Sequence, residues 1–225
     1  MNVDFLQKLN DIEKTDVSFA KIGNNSKNLI ICFGGNHHDG FERKKSLINF
    51  KNKRNDFDIL YLRNRARWYL NDLVGIGDCI DDTILFIENE LKNYDKTICM
   101  GISSGGFASI LFASLCKVNI SLSEIPQTDL NYCIKNLPYI ENKLPRNKSL
   151  ESYGNLVDVL SENTTYFTSY RTHYIMKDME FDDEILHGIY HYEKIKAHDS
   201  VNLLDTGKIG RLSTADVLKF LNDTI

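Results

Sequence analysis

Several things are scarce in this chain, and each shortage excludes something. Three prolines in 225 residues leave little to break regular elements, and no Pro- or Gly/Ser-rich linker, internal repeat or low-complexity segment divides the chain. The five cysteines, Cys32, Cys79, Cys99, Cys116 and Cys133, are odd in number and never spaced C-x-x-C. That excludes a disulfide framework and a cysteine zinc site, and we expect no bound metal. Cys32 and Cys99 fall inside apolar runs, where a thiol acts as a small hydrophobe; a reducing, cytoplasmic compartment is the expectation. An excess of positive charge is missing too. With 27 basic against 31 acidic residues the net charge is −4, which gives no reason to expect nucleic acid. The clusters Arg43-Lys44-Lys45 and Lys51-Asn52-Lys53-Arg54 are therefore read as solvated faces. No apolar run approaches bilayer length, and Met1 to Lys8 lacks the apolar core of a signal peptide.

What remains is an ordinary globular composition, 42% hydrophobic and 26% charged, at a length that suits one domain over residues 1–225. Its most informative stretch is Gly101-Ile102-Ser103-Ser104-Gly105-Gly106. The apolar run Thr97 to Met100 precedes it and the helix-like run Phe107 to Ala113 follows. Strand, tight turn and helix with G-x-S-x-G at the corner is the context of a nucleophile elbow. The turn is too sharp for bulky neighbours, and it lifts the Ser103 hydroxyl clear of the sheet edge at a helix N-terminus. The phosphate-binding alternatives fail on detail: the Walker lysine is missing and the spacing is not G-x-G-x-x-G.

Around the elbow, Asp16 to Lys21, Asn28 to Gly34, Phe57 to Leu62, Val118 to Ser123, Thr164 to Tyr170 and Ser200 to Leu204 read as strands. Ile80, Ile84, Ile87 and Leu91 mark one face of a helix over Asp78 to Asn93. Further helices are expected over Asp183 to Lys196 and Thr214 to Asn222. Residues 129–163, interrupted by Pro138 and Pro145, read either as a small cap or as an ordinary crossover. The alternation predicts an α/β fold, a mostly parallel sheet with helices on both faces, whose site lies beyond the carboxyl ends of the strands.

Acyl transfer by Ser103 needs a base, a carboxylate to orient it, and donors for the oxyanion. The N–H of Ser104 is one donor. The other is expected from the loop after Ile31-Cys32-Phe33, where Gly34 and Gly35 let backbone approach a ligand, and Gly35 is the candidate.

The stretches Tyr61 to Tyr69, Gly75-Ile76-Gly77-Asp78, Gly101 to Gly106 and Pro126-Gln127-Thr128 together resemble a bacterial group of α/β-hydrolase-fold proteins. That group includes capsular polysaccharide O-acetyltransferases and related serine esterases. The resemblance runs from about Leu29 to the C-terminus and is most specific at the elbow and at Pro126-Gln127. It implies an α/β-hydrolase-like fold, a carbohydrate or other acylated small molecule as substrate, and no cofactor beyond acetyl-CoA as acyl donor if the enzyme is a transferase. It also implies an acid just after the penultimate strand, ahead of a helix with an early histidine. Phe181-Asp182-Asp183-Glu184-Ile185-Leu186-His187 matches that description, so Asp183 is the implied acid with Asp182 beside it, although acidic residues at a helix start also serve as caps.

The base is where the chain departs from the group. Its histidine follows the last strand, where this sequence has Leu204-Asp205-Thr206-Gly207-Lys208. A lysine stays protonated at neutral pH unless strongly desolvated. His198 precedes the last strand and would sit about 16 Å away, at the wrong sheet edge. His173, after the penultimate strand, and His37 or His38, after the first core strand, open at the correct edge. His187 and His191 are read as surface or packing residues. The leading reading is a serine esterase or O-acyltransferase. The rival is a catalytically silent glycan- or protein-binding protein, with Trp68 and Tyr69 either stacking on sugars or packed in the core. A serine–lysine pair using Lys208 is the third.

Overall fold

The computed structural model describes residues 4–23, 26–35, 41–64, 68–136, 148–170, 190–204 and 211–225. Its elements begin with helix α1 (Phe5–Glu13), strand β1 (Phe19–Ile22), strand β2 (Asn28–Phe33), helix α2 (Lys44–Lys53) and strand β3 (Phe57–Leu62). Helix α3 (Ile80–Leu91), strand β4 (Lys96–Ile102), helix α4 (Ser104–Leu115), strand β5 (Ile120–Glu124) and helix α5 (Leu130–Asn136) follow. A short helix Lys148–Tyr153, strands β6 (Thr165–Ser169) and β7 (Val201–Leu204), and a C-terminal helix Thr214–Thr224 complete the order. The sheet runs β1-β3-β2-β4-β5-β6-β7. Among the described residues only the β1–β3 pairing of this sheet is antiparallel; its other neighbours are parallel. With seven strands in that order and helices against it, the fold is α/β-hydrolase-like.

Alternation in the central strands explains the two-sided core. On β2, Leu29, Ile31 and Phe33 enter one cluster with Phe107, Leu111 and Phe112 of α4, while Ile30 and Cys32 enter another with Leu9, Leu47, Val217 and Leu221. A strand covered on both faces must be apolar on both. Every residue of α4 from Ser104 to Ser114 is buried, so this helix is apolar all round rather than amphipathic. Its Phe112 ring stacks on Phe33 with centroids 5.4 Å apart.

Three readings of the sequence change. First, β1 begins at Phe19, not Asp16, because the preceding carbonyls have another partner: the Arg63 guanidinium takes those of Ile12, Thr15 and Val17 at 2.7–3.1 Å. Second, the basic clusters are solvated only in part: Lys45, Asn52 and Lys53 are exposed, but the rest are not. They flank and build α2, where Lys51 is buried and bonds Phe57 O and Asp58, Lys44 bonds Glu13 and Asn10, and Arg43 reaches Glu124. Third, α1 and α2 are helices left unassigned from the sequence, although Phe5, Leu9 and Ile12 of α1 recur at helical spacing and pack on the α2 side of the sheet, and Asp4 caps its start. Of the segment 129–163, Leu130, Cys133, Leu150 and Leu156 pack into the α4-side core; residues 137–147 lie outside the described residues.

All five cysteines are free thiols. Burial pushes the Cys116 thiol up to about 12 and Cys99 well above its ordinary value, so neither is a nucleophile at neutral pH. No helix among the described residues is long and apolar enough to cross a membrane.

Phe112 tests the α4 contact with the sheet. Phe112→Ala removes a fully buried ring and is expected to cost ~3–5 kcal/mol, read from the urea midpoint. A loss under about 1 kcal/mol, the size of a surface change, would contradict this packing.

Candidate active site

Ser103 joins β4 to α4 with φ 55° and ψ −121°. A non-glycine residue held there costs ~1–3 kcal/mol and persists only when its surroundings enforce it. The enforcement is visible. Ser103 N–H donates to Glu124 O at 2.9 Å, and Phe107 N–H donates to Ser103 O at 2.9 Å. A Cβ on Gly101 would lie 2.2 Å from Gly105 O, and one on Gly105 would lie 2.4 Å from Phe33 O. Only glycine lets α4 begin this close to both strands.

Ser103 is the N-cap of α4, yet its side chain makes no capping bond. Its half-buried hydroxyl instead accepts a hydrogen bond from Gln127 Nε2 at 3.3 Å. The first-turn N–H groups of α4 have no partner within the helix and carry the positive end of its dipole. Gly35 is packed against the same corner, its Cα hydrogen facing Ile102 O closely enough that a Cβ would come within 3.1 Å. The two backbone donors read from the sequence, Gly35 and Ser104, are therefore neighbours of one serine. Among the described residues no cluster of His, Cys, Asp or Glu could hold a metal ion.

Most of the other expected site residues are not among those described. Asp183, His173 and His37 lie outside the described residues, as do Asp182, His38, His187 and Lys208. His198 bonds Ser200 Oγ through Nδ1 at 2.8 Å and precedes β7, so it stands at the sheet edge opposite Ser103. His191 is buried. Its Nδ1 accepts from Thr128 N–H at 2.9 Å, which places the ring proton on Nε2, 3.6 Å from Cys133 Sγ. It is a packing residue that pins the segment after β5. Trp68 and Tyr69 are also buried rather than presented to a sugar, and the Tyr69 hydroxyl donates to Gly34 O at 2.9 Å, fixing the glycine loop from behind.

Glu124 went unnoticed in the sequence. It ends β5 level with Ile102, and its buried carboxylate takes Arg43 Nη2 on both oxygens at 2.7 and 2.9 Å and Leu212 N–H at 2.8 Å. Arg43, itself at φ 50°, also bonds Leu212 O and Thr214 Oγ1. One ion pair thus ties the start of α2, the segment before the C-terminal helix and the end of β5, the strand beside the elbow strand, together. Burial raises the Glu124 carboxyl above its ordinary value, with Arg43 opposing that rise. The available signal was an acidic residue closing an otherwise uncharged strand. On the β3 side, a cleft of about 350 Å³ is lined by Asp16, Ser18, Arg63, Asp72 and Leu73 among others. Arg63 shapes it but spends its guanidinium on carbonyls.

Known proteins bear on the fold. No protein-family model matches the chain, and no curated protein matches it by sequence. Solved structures do. A chain of the glycosylation-associated Gap123 complex of Streptococcus agalactiae aligns at 15% identity and TM-score 0.54, covering 88% of this chain and 41% of that one. This chain thus spans well under half the length of that relative. FphF, a fluorophosphonate-binding serine hydrolase of Staphylococcus aureus, aligns at 13% identity and TM-score 0.55, covering 90% and 83%. The capsule O-acetyltransferase of Neisseria meningitidis serogroup A aligns at 14% identity and TM-score 0.54, covering 92% and 89%. At such identities the likeness is one of fold, and the fold is that of the α/β hydrolases.

Breaking the buried pair tests its part in the corner. Arg43→Met strands Glu124 and is expected to cost ~3–5 kcal/mol at pH 8. Glu124 has a raised folded-state pKa, so its stabilising contribution is full below the unfolded value of about 4.3 and is lost as pH rises through the folded one. Without Arg43 that rise is larger, and the deficit of the variant should shrink at pH 4. Equal deficits at both pH values in urea melts would refute the pairing.

Proposed function

We propose that this protein is a serine-dependent acyl-transfer enzyme, an esterase or O-acyltransferase acting on a carbohydrate through an acyl ester on Ser103. The observation that carries the reading is the strained, uncapped Ser103 at the head of a buried helix. Nothing in local packing calls for a serine hydroxyl in that place, whereas nucleophilic attack does. Further support comes from the fold neighbours, one a serine hydrolase that binds fluorophosphonates and one an O-acetyltransferase of a capsule.

In the reaction, Ser103 Oγ attacks the acyl carbonyl and its proton passes to a base. The carbonyl electrons collect on the oxygen facing the N–H groups of Gly35 and Ser104. The bond to the leaving alcohol or thiol then breaks as that group takes up the proton. Water, or a sugar hydroxyl in a transferase, attacks the acyl ester, and the C–Oγ bond breaks to restore the serine. Acetyl-CoA is the thioester donor proposed for the transferase form.

For the base we propose a histidine from one of two loops, His37 or His173, with Asp183 as its orienting acid. The register supports both. Phe33 pairs with Gly101 one strand away, and Ser169 lies level with Glu124 and Ile102 two strands away. The two loops thus leave the same edge about 5 and 10 Å to either side of β4.

A second reading has its own observation. Lys208 stands where the resembling group has histidine, and neither described histidine serves as a base: His191 is buried with Nδ1 held by Thr128, and His198 is at the far edge. A silent binding protein, or a serine–lysine enzyme, would show the same features.

A fluorophosphonate probe separates the three. We expect one adduct on Ser103 by mass spectrometry at pH 7, absent in Ser103→Ala. No adduct between pH 6 and 10 would support the binding protein. An adduct that forms only at alkaline pH and is lost in Lys208→Ala would identify the lysine as base.

A further inference from the structure

Gln127 lies in the segment between β5 and α5, and its surroundings hold it still. Pro126 limits the backbone before it. After it, Thr128 N–H donates to His191 Nδ1 at 2.9 Å and Thr128 O accepts from Leu156 N–H at 2.8 Å. The carboxamide at the end of this braced backbone does two things. Its Nε2 donates to Ser103 Oγ, and its Oε1 is buried without a hydrogen-bond partner among the described residues. A buried amide oxygen left unpaired is a standing cost, and such groups call for an explanation. Turning the amide over would put a second acceptor against Oγ and remove the donor. The orientation seen is the one that favours a negatively charged serine oxygen.

We propose that Gln127 is a catalytic residue, the donor that steadies charge on Ser103 Oγ in both halves of the reaction. The inference rests on the acyl-transfer reading above. During acylation the Oγ–H bond breaks towards the base while the Oγ–C bond is incomplete, so Oγ carries part of a negative charge. The N–H···Oγ bond becomes charge-assisted at that moment and strengthens. When the ester is complete, Oγ has lost that charge and the bond weakens. In deacylation the C–Oγ electron pair returns to Oγ, the amide meets the charge again, and the base gives back the proton. The amide moves no proton itself. Because the donor occupies a lone pair of Oγ, it also directs the serine O–H away from Gln127 and towards the side on which a base must stand. This is preorganised stabilisation of charge that develops only in the transition state, the kind that raises rate rather than affinity.

The test measures the rate of fluorophosphonate adduct formation on Ser103 in wild type, Gln127→Ala, Gln127→Met and Gln127→Glu from pH 5 to 8, with urea melts of each. Met keeps the volume without the donor and covers the case in which Ala disturbs the fold. The expected loss for Ala and Met is roughly tenfold at every pH, smaller than for a full oxyanion donor because the bond is long. The Glu variant should be slowest at pH 8, where its carboxylate repels the developing charge. Its rate relative to wild type should climb as pH falls towards about 4.3 and the acid regains a proton to donate. Wild-type rates in folded Met or Ala variants, or a Glu-to-wild-type ratio flat with pH, would overturn the role. An unlabelled wild type would instead sink the acyl-transfer reading and this inference with it, an outcome distinct from either of those.

Discussion

Ser103 sits in a backbone conformation that L-residues avoid, and it stays there because its neighbours leave the chain no easier path. Its amide is committed to Glu124 O and its carbonyl to Phe107 N–H. The residues either side of it run into strands packed so tightly that side chains at Gly101 and Gly105 would collide with backbone oxygens. Relaxing the serine would require α4 to retreat from β2 and β4. Since that helix is buried along nearly all its length, retreat would open the core. The strain is local, and what sustains it is the packing of the whole centre of the molecule.

Three buried polar ties surround that corner, and they share a pattern. Tyr69 holds Gly34 O, Arg43 holds Glu124, and His191 holds Thr128. Each brings a side chain from a distant segment to a loop at the carboxyl edge of the sheet, one behind the glycine loop, one beside the elbow strand, one on the segment bearing Gln127. Apolar packing is non-directional and would hold such loops only loosely. A hydrogen bond fixes both distance and angle. Burying a polar group unpaired is costly, so a tie of this kind has one good geometry and little tolerance around it.

The parts of this arrangement that could be read from the sequence were those with local signatures. The G-x-S-x-G corner announces itself because the glycines and the serine are adjacent, and β2 to β7 show as short apolar or β-branched runs. Helix α2 was missed because its N-cap is Arg43 in a left-handed conformation with no side-chain cap, so no start signal exists. Lys44 and Arg43 looked solvent-facing because their partners, Glu13 and Glu124, are 31 and 81 residues away. Trp68 and Tyr69 looked equally suited to a sugar or to a core, and only the packing decided between them. Gln127 was noticed as part of a motif but given no work, since its contact with Ser103 crosses 24 residues.

The strand order also constrains where the chain goes after the seventh strand. Leu204 ends β7 level with Ser169, Glu124 and Ile102, three strands from β4 and about 15 Å from it. Yet Leu212 is bound to Glu124 at 2.8 Å, one strand from the elbow. The chain that leaves β7 at Leu204 has therefore returned to the flank of Ser103 eight residues later, and the Arg43–Glu124 pair is what receives it. A buried charge pair is costly to assemble, and anchoring the returning chain is a structural reason for one to stand beside Ser103.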